Sequence, residues 1–200
     1  MKDINATIIV NLKPSEEEIM EGLHKDARWG VRRAIKEGLI VEELKNNRDW
    51  KEIYEIYKNT IKAGGATPDS IEKIKKDTKV LFLCKYKNKI IAFAGIELNE
   101  NVPTLYIAGS VPEYRNLQPN NLLYWNCILW CKKKGFKKLD LGGWQINARE
   151  HLQGVNKFKE KWGEKIYFKR DYPFHKAVGR KIIRNSNFFW WLNKKIRERK

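Results

Sequence analysis

Two segments in the last third of the chain carry residues that could do chemistry. Asp140-Leu141-Gly142-Gly143 is typical of a strand that ends at paired glycines, and Lys159 follows on a short predicted helix. Because glycine has no Cβ, the backbone at Gly142 and Gly143 can come close to a ligand. Lys159 can reach the same point and meet that ligand with its ammonium group. The alternative interpretation is a tight turn followed by a solvated lysine.

Asp140 and three further residues lie where a substrate could be held. Arg115 precedes a predicted helix and suits a phosphate or a carboxylate, or else a salt bridge at the helix start. Asp140 ends a strand, where ligand crevices form in α/β proteins, or else it bonds the backbone of the following loop. Trp144 and Arg149 lie in that loop and could close over an acceptor, although packing is the other use of a tryptophan.

The net charge of +17 is distributed unevenly. Residues 101–200 hold 22 of the 41 Lys and Arg but only 7 of the 24 Asp and Glu. Such a field attracts phosphates, whether in a nucleic acid, a nucleotide cofactor or an anionic membrane. Two basic clusters are candidates for RNA-backbone contacts, with solvated helix faces as the default alternative. They are Arg28, Arg32, Arg33 and Lys36 on one helix and Lys132, Lys133 and Lys134 at the end of another.

Hydrophobic periodicity predicts an α/β fold with a mixed β-sheet flanked by helices. A strand at 7–12 leads into a helix from 15 to 37, which Gly30 would divide into two pieces. The elements that follow are a strand at 39–44, helices at 49–63 and 69–77, a meander of strands at 80–86, 89–98 and 103–111, a helix at 119–134, a strand at 136–141, a helix at 155–161 and a strand at 165–168. The helix at 119–134 is a crossover, which makes the strands on either side of it parallel.

This order of elements resembles the GNAT acyltransferase fold, and three segments resemble more specifically the FemABX family of non-ribosomal peptidyltransferases. They are ATIIVNLKPSEEEIMEGLHKDARWGVRRAIKEGLIVEEL, KIIAFAGIELNENVPTLYIAGSVPEYRNLQPNNLLYWNCILWCKKKGFKKLDLGG and GVNKFKEKWGEKI. The third resembles the family's Phe-Lys-x-x-Phe-Gly signature, with Trp162 in the second aromatic place. The resemblance covers Thr7 to Phe168, and it is the order and spacing of the segments that make it specific.

The resemblance implies an enzyme that moves an aminoacyl group from aminoacyl-tRNA to an amine of a cell-envelope precursor of the peptidoglycan type. The tRNA ester is already activated, so positioning and charge stabilisation can supply most of the rate. Lys159 would then be the catalytic residue, with Phe158 packed beside it. Ser110, which follows Gly109, would end the strand where a GNAT sheet opens and would offer a backbone N–H to the acyl carbonyl.

One departure from the GNAT pattern leaves two donor substrates possible, aminoacyl-tRNA and acyl-CoA. Enzymes that use acyl-CoA usually have Arg/Gln-x-x-Gly-x-Gly/Ala before the crossover helix, where backbone N–H groups hold pyrophosphate. Here Arg115-Asn116-Leu117-Gln118-Pro119-Asn120 fills that place without a glycine. The departure favours aminoacyl-tRNA, as in the Fem-like branch, and an acyl-CoA-dependent N-acyltransferase of an envelope sugar or peptide is the alternative.

A second departure concerns the number of halves. Members of the family usually contain two GNAT-like halves, and this chain supplies one that resembles the C-terminal half. The substrate cleft between halves would then be missing or made by a homodimer. A rival of another class is a non-catalytic RNA- or membrane-binding domain that keeps the fold.

Composition sets the remaining expectations. Residues 1–170 would form the acyltransferase domain, and residues 171–200 a basic tail with aromatic residues, whose part from 188 to 200 suits an anionic membrane, RNA bases or docking on the domain. There is no apolar run of about 18 residues and the N-terminal segment is charged, so we expect a cytoplasmic protein, peripheral at the inner face of the membrane. Three cysteines without a metal-like spacing predict buried thiols, with no metal and no tightly bound cofactor.

Overall fold

A computed structural model describes residues 4–45, 48–98, 102–146, 148 and 150–167. Seven strands are present in this part of the chain: β1 (Ile4–Asn11), β2 (Ile40–Glu43), β3 (Val80–Tyr86), β4 (Lys89–Glu97), β5 (Thr104–Ser110), β6 (Lys138–Gln145) and β7 (Glu164–Tyr167). The α-helices are α1 (Glu16–Gly22), α2 (Lys25–Lys36), α3 (Trp50–Ala63), α4 (Ile71–Asp77), α5 (Pro119–Lys133) and α6 (Glu150–Glu160), and a 3₁₀ helix (Pro112–Leu117) precedes α5. The predicted tail at 171–200 lies outside the described residues.

The strands form one mixed sheet in the order β2-β3-β4-β5-β6-β1-β7. β5 and β6 are parallel and joined through α5, whereas the other neighbouring strands are antiparallel. The predicted meander, the parallel crossover and the mixed sheet flanked by helices are therefore confirmed. The two-residue turn Lys87-Asn88 joins β3 to β4, and both residues have the positive φ angles of a primed hairpin turn, 48° and 63°.

Helices cover the sheet on two faces. α1, α2 and α5 pack on one face, where Ile8, Val31, Leu123, Ile128 and Leu139 are buried. α3 and α4 pack on the other face, over β3, β4 and β5, where their residues bury Leu83 and Phe93. The thiols of Cys84, Cys127 and Cys131 are free and buried, as the sequence predicted.

The predicted helix at 15–37 is two helices, but the break is not at Gly30. α1 ends at Gly22 and α2 begins at Lys25, with the His24 Nδ1 accepting a hydrogen bond from the Asp26 N–H at 3.2 Å. Gly30 is buried in the middle of α2, where a Cβ would lie 2.5 Å from the Asn121 side chain on α5. This glycine lets two helices pack closely and does not interrupt one.

The prediction that a strand ends at Gly142 is wrong, because β6 continues to Gln145 alongside β1. Thr7 on β1 is opposite Gly143, whereas Ile9, two residues later, is opposite Asp140, three residues earlier on β6. One extra residue is therefore accommodated on β6 as a bulge. Gly142 makes this possible, since its φ of 80° is a conformation that other residues rarely adopt.

Candidate active site

The candidate site lies where the parallel strands β5 and β6 meet. The two strands pair at a single register position, Thr104 with Asp140, and the Asp140 N–H donates to the Pro103 carbonyl oxygen at 2.9 Å. The backbone groups that follow in these two described strands are therefore not joined by a continuous ladder. A gap between parallel strands in the middle of a sheet exposes backbone polar groups to a ligand.

A second bulge, in β5, adjoins this gap. Leu105 is opposite Ile96 on β4, whereas Ile107 is opposite Gly95, so Tyr106 is an extra residue in the β5 ladder. Bulges bend a strand and increase its twist. Both strands that border the gap therefore carry a bulge near the position where they are paired.

Lys159 on α6 directs its ammonium group to this gap. Its Nζ donates a hydrogen bond to the Gly143 carbonyl oxygen at 3.3 Å. A Cβ built on Gly142 would lie 3.5 Å from the Lys159 Nζ and 3.6 Å from the Leu105 carbonyl oxygen. The bulged glycine of β6, the bulged segment of β5 and the lysine therefore meet at one point.

The surroundings of Lys159 favour its neutral form more than water does. Part of the side chain is exposed, but burial of the ammonium end lowers the pKa of Lys159 to about 8, and the Asp140 carboxylate opposes that shift. Burial also raises the pKa of Asp140, against the hydrogen bonds that it accepts and the positive charge of Lys159. A lysine with such a pKa is mostly protonated at neutral pH and can still exchange its proton.

Asp140 shapes the bulge as well as the charge of the site. Its Oδ1 accepts hydrogen bonds from the Thr7 hydroxyl on β1 and from the Gly142 N–H, the latter at 2.7 Å. The carboxylate thus bonds backbone of the bulge, which was the second of the two roles expected from the sequence. It joins β1 to the bulge that presents Gly143 to Lys159.

Phe158 and Trp162 attach α6 to the core. The Phe158 ring packs edge-on against Tyr124 of α5 with centroids 4.9 Å apart, and Trp162 lies 5.6 Å from Tyr124 and 6.1 Å from Phe158. Trp162 is almost fully buried, and Phe158 is partly buried. The two aromatic places of the Phe-Lys-x-x-Trp-Gly segment therefore hold the helix, and the lysine between them faces the gap.

Trp144 belongs to a polar and aromatic cluster beside the site. Its Nε1–H donates to the Glu160 carboxylate at 2.8 Å, and the Lys165 Nζ lies 3.8 Å from the centroid of its ring. Tyr167 packs against the same ring at 6.2 Å. The indole is thus held by neighbours on α6 and β7, and Arg149 lies outside the described residues.

Comparison with known proteins identifies the family. A family model described as an acetyltransferase (GNAT) domain matches residues 25–160, which is more than half of the chain. The chain belongs to the GNAT acetyltransferase-domain family. The match supports an acyltransferase and confirms the GNAT resemblance of the sequence.

Solved structures share the fold of this GNAT domain at low sequence identity. FemX superposes with a TM-score of 0.70 and 16% identity, over 83% of this chain and 60% of FemX. The C-terminal domain of a putative lysylphosphatidylglycerol synthetase from Agrobacterium fabrum gives 0.59 and 14%, over 81% and 58% of the two chains. An aminoglycoside acetyltransferase from an uncultured soil metagenomic sample gives 0.53 and 12%, over 70% and 99%.

The chain corresponds to only part of the longer solved structures. The chain spans about three fifths of the length of FemX and of the synthetase structure. No curated protein matches the chain in sequence.

The turn before α5 keeps an unusual backbone without the glycines that GNAT domains have there. Gln118 has a φ of 63° at the helix start, in the place of the first glycine of the pattern. Asn120 donates to the Ser110 hydroxyl at 3.3 Å, and the Asn120 Oδ1 is buried with no hydrogen-bond partner in the described part of the chain. Arg115 is exposed on the preceding 3₁₀ helix. Of these residues, Ser110 and Arg115 are predicted site residues, and they form a second group.

The two groups lie at different ends of β5. Leu105 adjoins Lys159, and Ser110 is five residues further along the strand, which corresponds to roughly 17 Å. The structure therefore brings together Lys159, Asp140, Gly142 and Gly143, with Trp144 next to them, and places Ser110 and Arg115 apart. Only an extended donor could contact both groups.

Several predicted RNA-contacting residues have partners within the protein. Arg28 donates to the carbonyl oxygens of Glu21 and Leu23 at 2.7 and 2.6 Å, at the end of α1. Lys132 donates to backbone carbonyl oxygens of the loop after β1, and Lys134 lies 5.5 Å from the Trp130 ring. Arg33 pairs with Glu37 at 2.9 Å. Arg32, Lys36 and Lys133 are exposed.

Two residues of the site could not be recognised in the sequence. Thr7 bonds Asp140 across a strand pair that joins distant parts of the chain. The Asn156 side chain donates to the Gln145 carbonyl oxygen at 2.7 Å and so connects α6 to the end of β6. Thr7 meets a partner 133 residues along the chain, which leaves no local pattern. Asn156 lies in the segment GVNKFKEKWGEKI, but the Phe-Lys-x-x-Phe-Gly signature does not include its position.

The described residues contain neither a candidate metal cluster nor a membrane-spanning helix. No group of three or more His, Cys, Asp or Glu side chains in this part of the chain could hold a metal ion. Nor does any of the helices that the structure describes have the length and apolar character needed to cross a membrane.

Proposed function

We propose that this acyltransferase moves an aminoacyl group from aminoacyl-tRNA to an amine of a cell-envelope precursor of the peptidoglycan type. The observation that carries the proposal is the position of Lys159, whose partly desolvated ammonium lies between two bulged strands. The Phe-Lys-x-x-Trp-Gly segment that holds this lysine is also the segment that most closely resembles the FemABX signature.

The reaction requires little more than charge and orientation. The acceptor amine attacks the ester carbonyl, a C–N bond forms, the C–O bond to the ribose breaks, and a proton passes from the amine to the departing oxygen. Negative charge develops first on the carbonyl oxygen and then on the leaving oxygen. Lys159 supplies the positive charge, and its bond to the Gly143 carbonyl oxygen fixes the direction of the ammonium group.

The turn before α5 supports an RNA donor. Pro119 has no backbone N–H, and Gln118 and Asn120 place side chains where a pyrophosphate cradle has glycines. A donor whose phosphates are bound by basic surface residues does not need this cradle. Arg32, Lys36 and Lys133 of the proposed RNA-contacting clusters are exposed and would make these phosphate contacts.

The rest of the proposal concerns where the enzyme acts. In a homodimer, a second copy of the chain would supply the other side of the acceptor cleft; the chain spans about three fifths of the length of FemX. The basic and aromatic residues at 188–200 would hold the enzyme at the inner, cytoplasmic face of an anionic membrane, where a lipid-linked acceptor is found.

A second candidate is N-acyl transfer from acyl-CoA to an envelope sugar or peptide. The match to the GNAT family favours it, because acyl-CoA is the donor of that family. The left-handed Gln118 favours it too, since the turn keeps a backbone shape normally made by glycine. The buried Asn120 Oδ1 has no hydrogen-bond donor among the residues that the structure describes, and a bound ligand could provide one.

A donor competition separates the candidates. The full-length protein is incubated with a lipid-linked muropeptide precursor, aminoacyl-tRNA carrying a labelled amino acid, and acetyl-CoA carrying a second label. We expect the amino-acid label on the precursor, and we expect RNase treatment of the donor mixture beforehand to abolish it. Acetyl label alone, insensitive to RNase, would establish the second candidate. Transfer of neither label, with retention of tRNA or membrane binding, would establish the non-catalytic reading.

A further inference from the structure

The two sides of β6 are paired to very different extents. β6 lies between β5 and β1 in the sheet. β1 pairs with β6 from one end to the other, whereas β5 pairs with it at Asp140 alone within the described strands. Backbone N–H and C=O groups inside a fold need partners, because an unpaired buried group is costly. The part of β6 beyond Asp140 therefore needs partners other than β5.

Asn156 on α6 supplies such partners at the end of β6. Its Nδ2 donates to the Gln145 carbonyl oxygen at 2.7 Å, and its Oδ1 accepts a hydrogen bond from the Gln145 N–H at 3.4 Å. The N–H and C=O of one strand residue normally bond the same residue of a neighbouring strand. A side-chain amide that bonds both groups therefore takes the place of a strand. Asn156 is 8% exposed, so water has little access to these bonds.

Lys159 bonds β6 two residues before Gln145. Its Nζ donates to the Gly143 carbonyl oxygen at 3.3 Å. Gly143 and Gln145 are two strand residues apart, which corresponds to roughly 7 Å. Asn156 and Lys159 are three helix residues apart, which places their Cβ atoms roughly 5–6 Å from each other on one face of α6. The two spacings match closely, so one face of the helix can bond both positions of the strand.

We propose that Asn156 is a positioning residue, which fixes α6 along β6 and thereby holds the Lys159 ammonium group in the gap between β5 and β6. The amide acts through the helix, since Asn156 and Lys159 bond alternate residues of the same strand. It also occupies the backbone groups of Gln145 through which β5 could extend its pairing with β6. Asn156 therefore helps to keep the gap open and the lysine in it.

The other contacts of α6 fix its position less narrowly. Phe158 packs against the Tyr124 ring with centroids 4.9 Å apart. Such dispersion contacts change gradually with distance, whereas a hydrogen bond weakens steeply outside a narrow range of distance and angle. Glu160, which accepts a bond from the Trp144 indole, is exposed to water. Among the described side chains of α6, Asn156 is the buried one, and its contact with the sheet is directional.

Loss of the amide should change both the surroundings of Lys159 and the rate. Burial lowers the pKa of Lys159 to about 8, and Asp140 is the charged group that opposes this shift. An ammonium group that leaves the gap for water should regain a pKa closer to its ordinary value of 10.5. A displacement of about 1 Å can cost on the order of 10² in rate. The effect on the rate rests on the proposed function, whereas the effect on the pKa does not.

The test uses Asn156→Leu, which keeps the approximate size of the side chain and removes both hydrogen bonds. The pKa of Lys159 is measured in the folded full-length protein by NMR titration of labelled lysine side chains, with Lys159→Met to assign the signal. We expect the pKa to rise by at least about one pH unit. We also expect kcat for aminoacyl transfer to fall at least about tenfold, while KM for the acceptor stays within about threefold.

Two controls separate positioning from a general loss of stability. Gln153→Leu removes a side-chain amide from the same helix, where the Gln153 Nε2 donates to the Ala148 carbonyl oxygen at 3.2 Å and makes no bond to β6. Ile53→Val lowers stability from a buried position in α3, on the other face of the sheet. Both variants should keep the parental pKa of Lys159 and the parental kcat.

An unchanged pKa of Lys159 in folded Asn156→Leu would overturn the proposal, and so would an equal change in either control. If the leucine variant does not fold, Asn156→Ala replaces it, because the space it leaves admits a water molecule that can bond Gln145, and the same rise in pKa is expected. A raised pKa in the variant, together with a parent that transfers no aminoacyl group, would support the positioning role and contradict the proposed function. The two can therefore fail separately.

Discussion

The Lys159 Nζ lies 3.3 Å from the Gly143 carbonyl oxygen, so a lysine of α6 is hydrogen-bonded to the backbone of a bulged strand. The bond holds the ammonium where β5 and β6 pair at only one register position. This relationship depends on the glycine bulge, on Asp140 beneath it and on the aromatic attachment of α6. Each of these can be tested separately.

The rate of acyl transfer should fall as the pH rises through about 8. Burial lowers the pKa of Lys159 to about that value, so the positive charge that stabilises the oxyanion is lost above it. The alkaline limb of kcat/KM against pH is the measurement. The residual activity of Lys159→Met should lack this limb, and a limb of the same shape in that variant would assign it to another group.

Folding stability should also depend on pH through Lys159, but it should increase as the pH rises. The pKa of Lys159 is about 8 in the folded state and 10.5 by its ordinary value, so between these pH values the unfolded chain binds more protons. The contribution of Lys159 to the free energy of unfolding therefore increases as the pH rises from 8 to 10.5 and reaches its least favourable value below 8. Urea unfolding of the parent and Lys159→Met across this range isolates it, because the other groups cancel in the difference. A difference that does not change with pH would contradict a lowered pKa.

Gly142→Ala should damage both stability and activity. A non-glycine residue at a φ of 80° costs on the order of 1–2 kcal/mol, and the new methyl group would contact the Lys159 ammonium. Thermal unfolding and single-turnover transfer are the measurements. The matched control is Gly154→Ala in the middle of α6, where a Cβ meets nothing within 4 Å. That variant should be more stable by up to about 1 kcal/mol and should keep its activity. Equal behaviour of the two alanines would show that the bulge is not required.

Tyr106→Phe should test the bulge of β5. The Tyr106 hydroxyl donates to the Asp77 carboxylate at 3.1 Å and receives a bond from the Lys73 Nζ at 3.2 Å, which attaches the bulged residue to α4. We expect a loss of about 1 kcal/mol in stability and a lower kcat/KM, because the adjoining Leu105 carbonyl borders the gap.

The control for this variant is Tyr54→Phe. It removes one hydroxyl hydrogen bond, to the Asp69 carbonyl oxygen at 3.0 Å, far along the chain from the bulge. Its stability should fall by a similar amount while kcat/KM stays unchanged. A lower kcat/KM in both variants would indicate that general loss of stability, and not the bulge, affects activity.

The elements that the sequence predicted well are those stabilised by local patterns. The hairpin β3–β4 has continuous apolar strands around a two-residue turn, and its first strand has the predicted bounds, Val80–Tyr86. The helix α5 carries a crossover of ordinary length, so the parallel pairing of β5 and β6 followed from connection rules.

The elements that were missed depend on contacts between distant parts of the chain. β6 continues past Gly142 because β1 pairs with it across more than a hundred residues, and a local pattern of two glycines looks the same at a turn and at a bulge. The break at His24 depends on Arg28 bonding the end of α1, and Gly30 fits the Asn121 side chain of α5. Lys159 was found through a family resemblance, since its residue type and spacing alone favour a solvated lysine.

The most direct test of the account is the single-turnover rate of aminoacyl transfer from charged tRNA in Lys159→Met, with Lys157→Met as the control. Both lysines lie on α6, but Lys157 is exposed and Lys159 reaches the gap. We expect Lys159→Met to be slower by a factor on the order of 10² to 10³ and Lys157→Met to transfer at the parental rate. Parental rates in both variants, with folded protein and bound tRNA, would contradict the assignment of the reaction to Lys159.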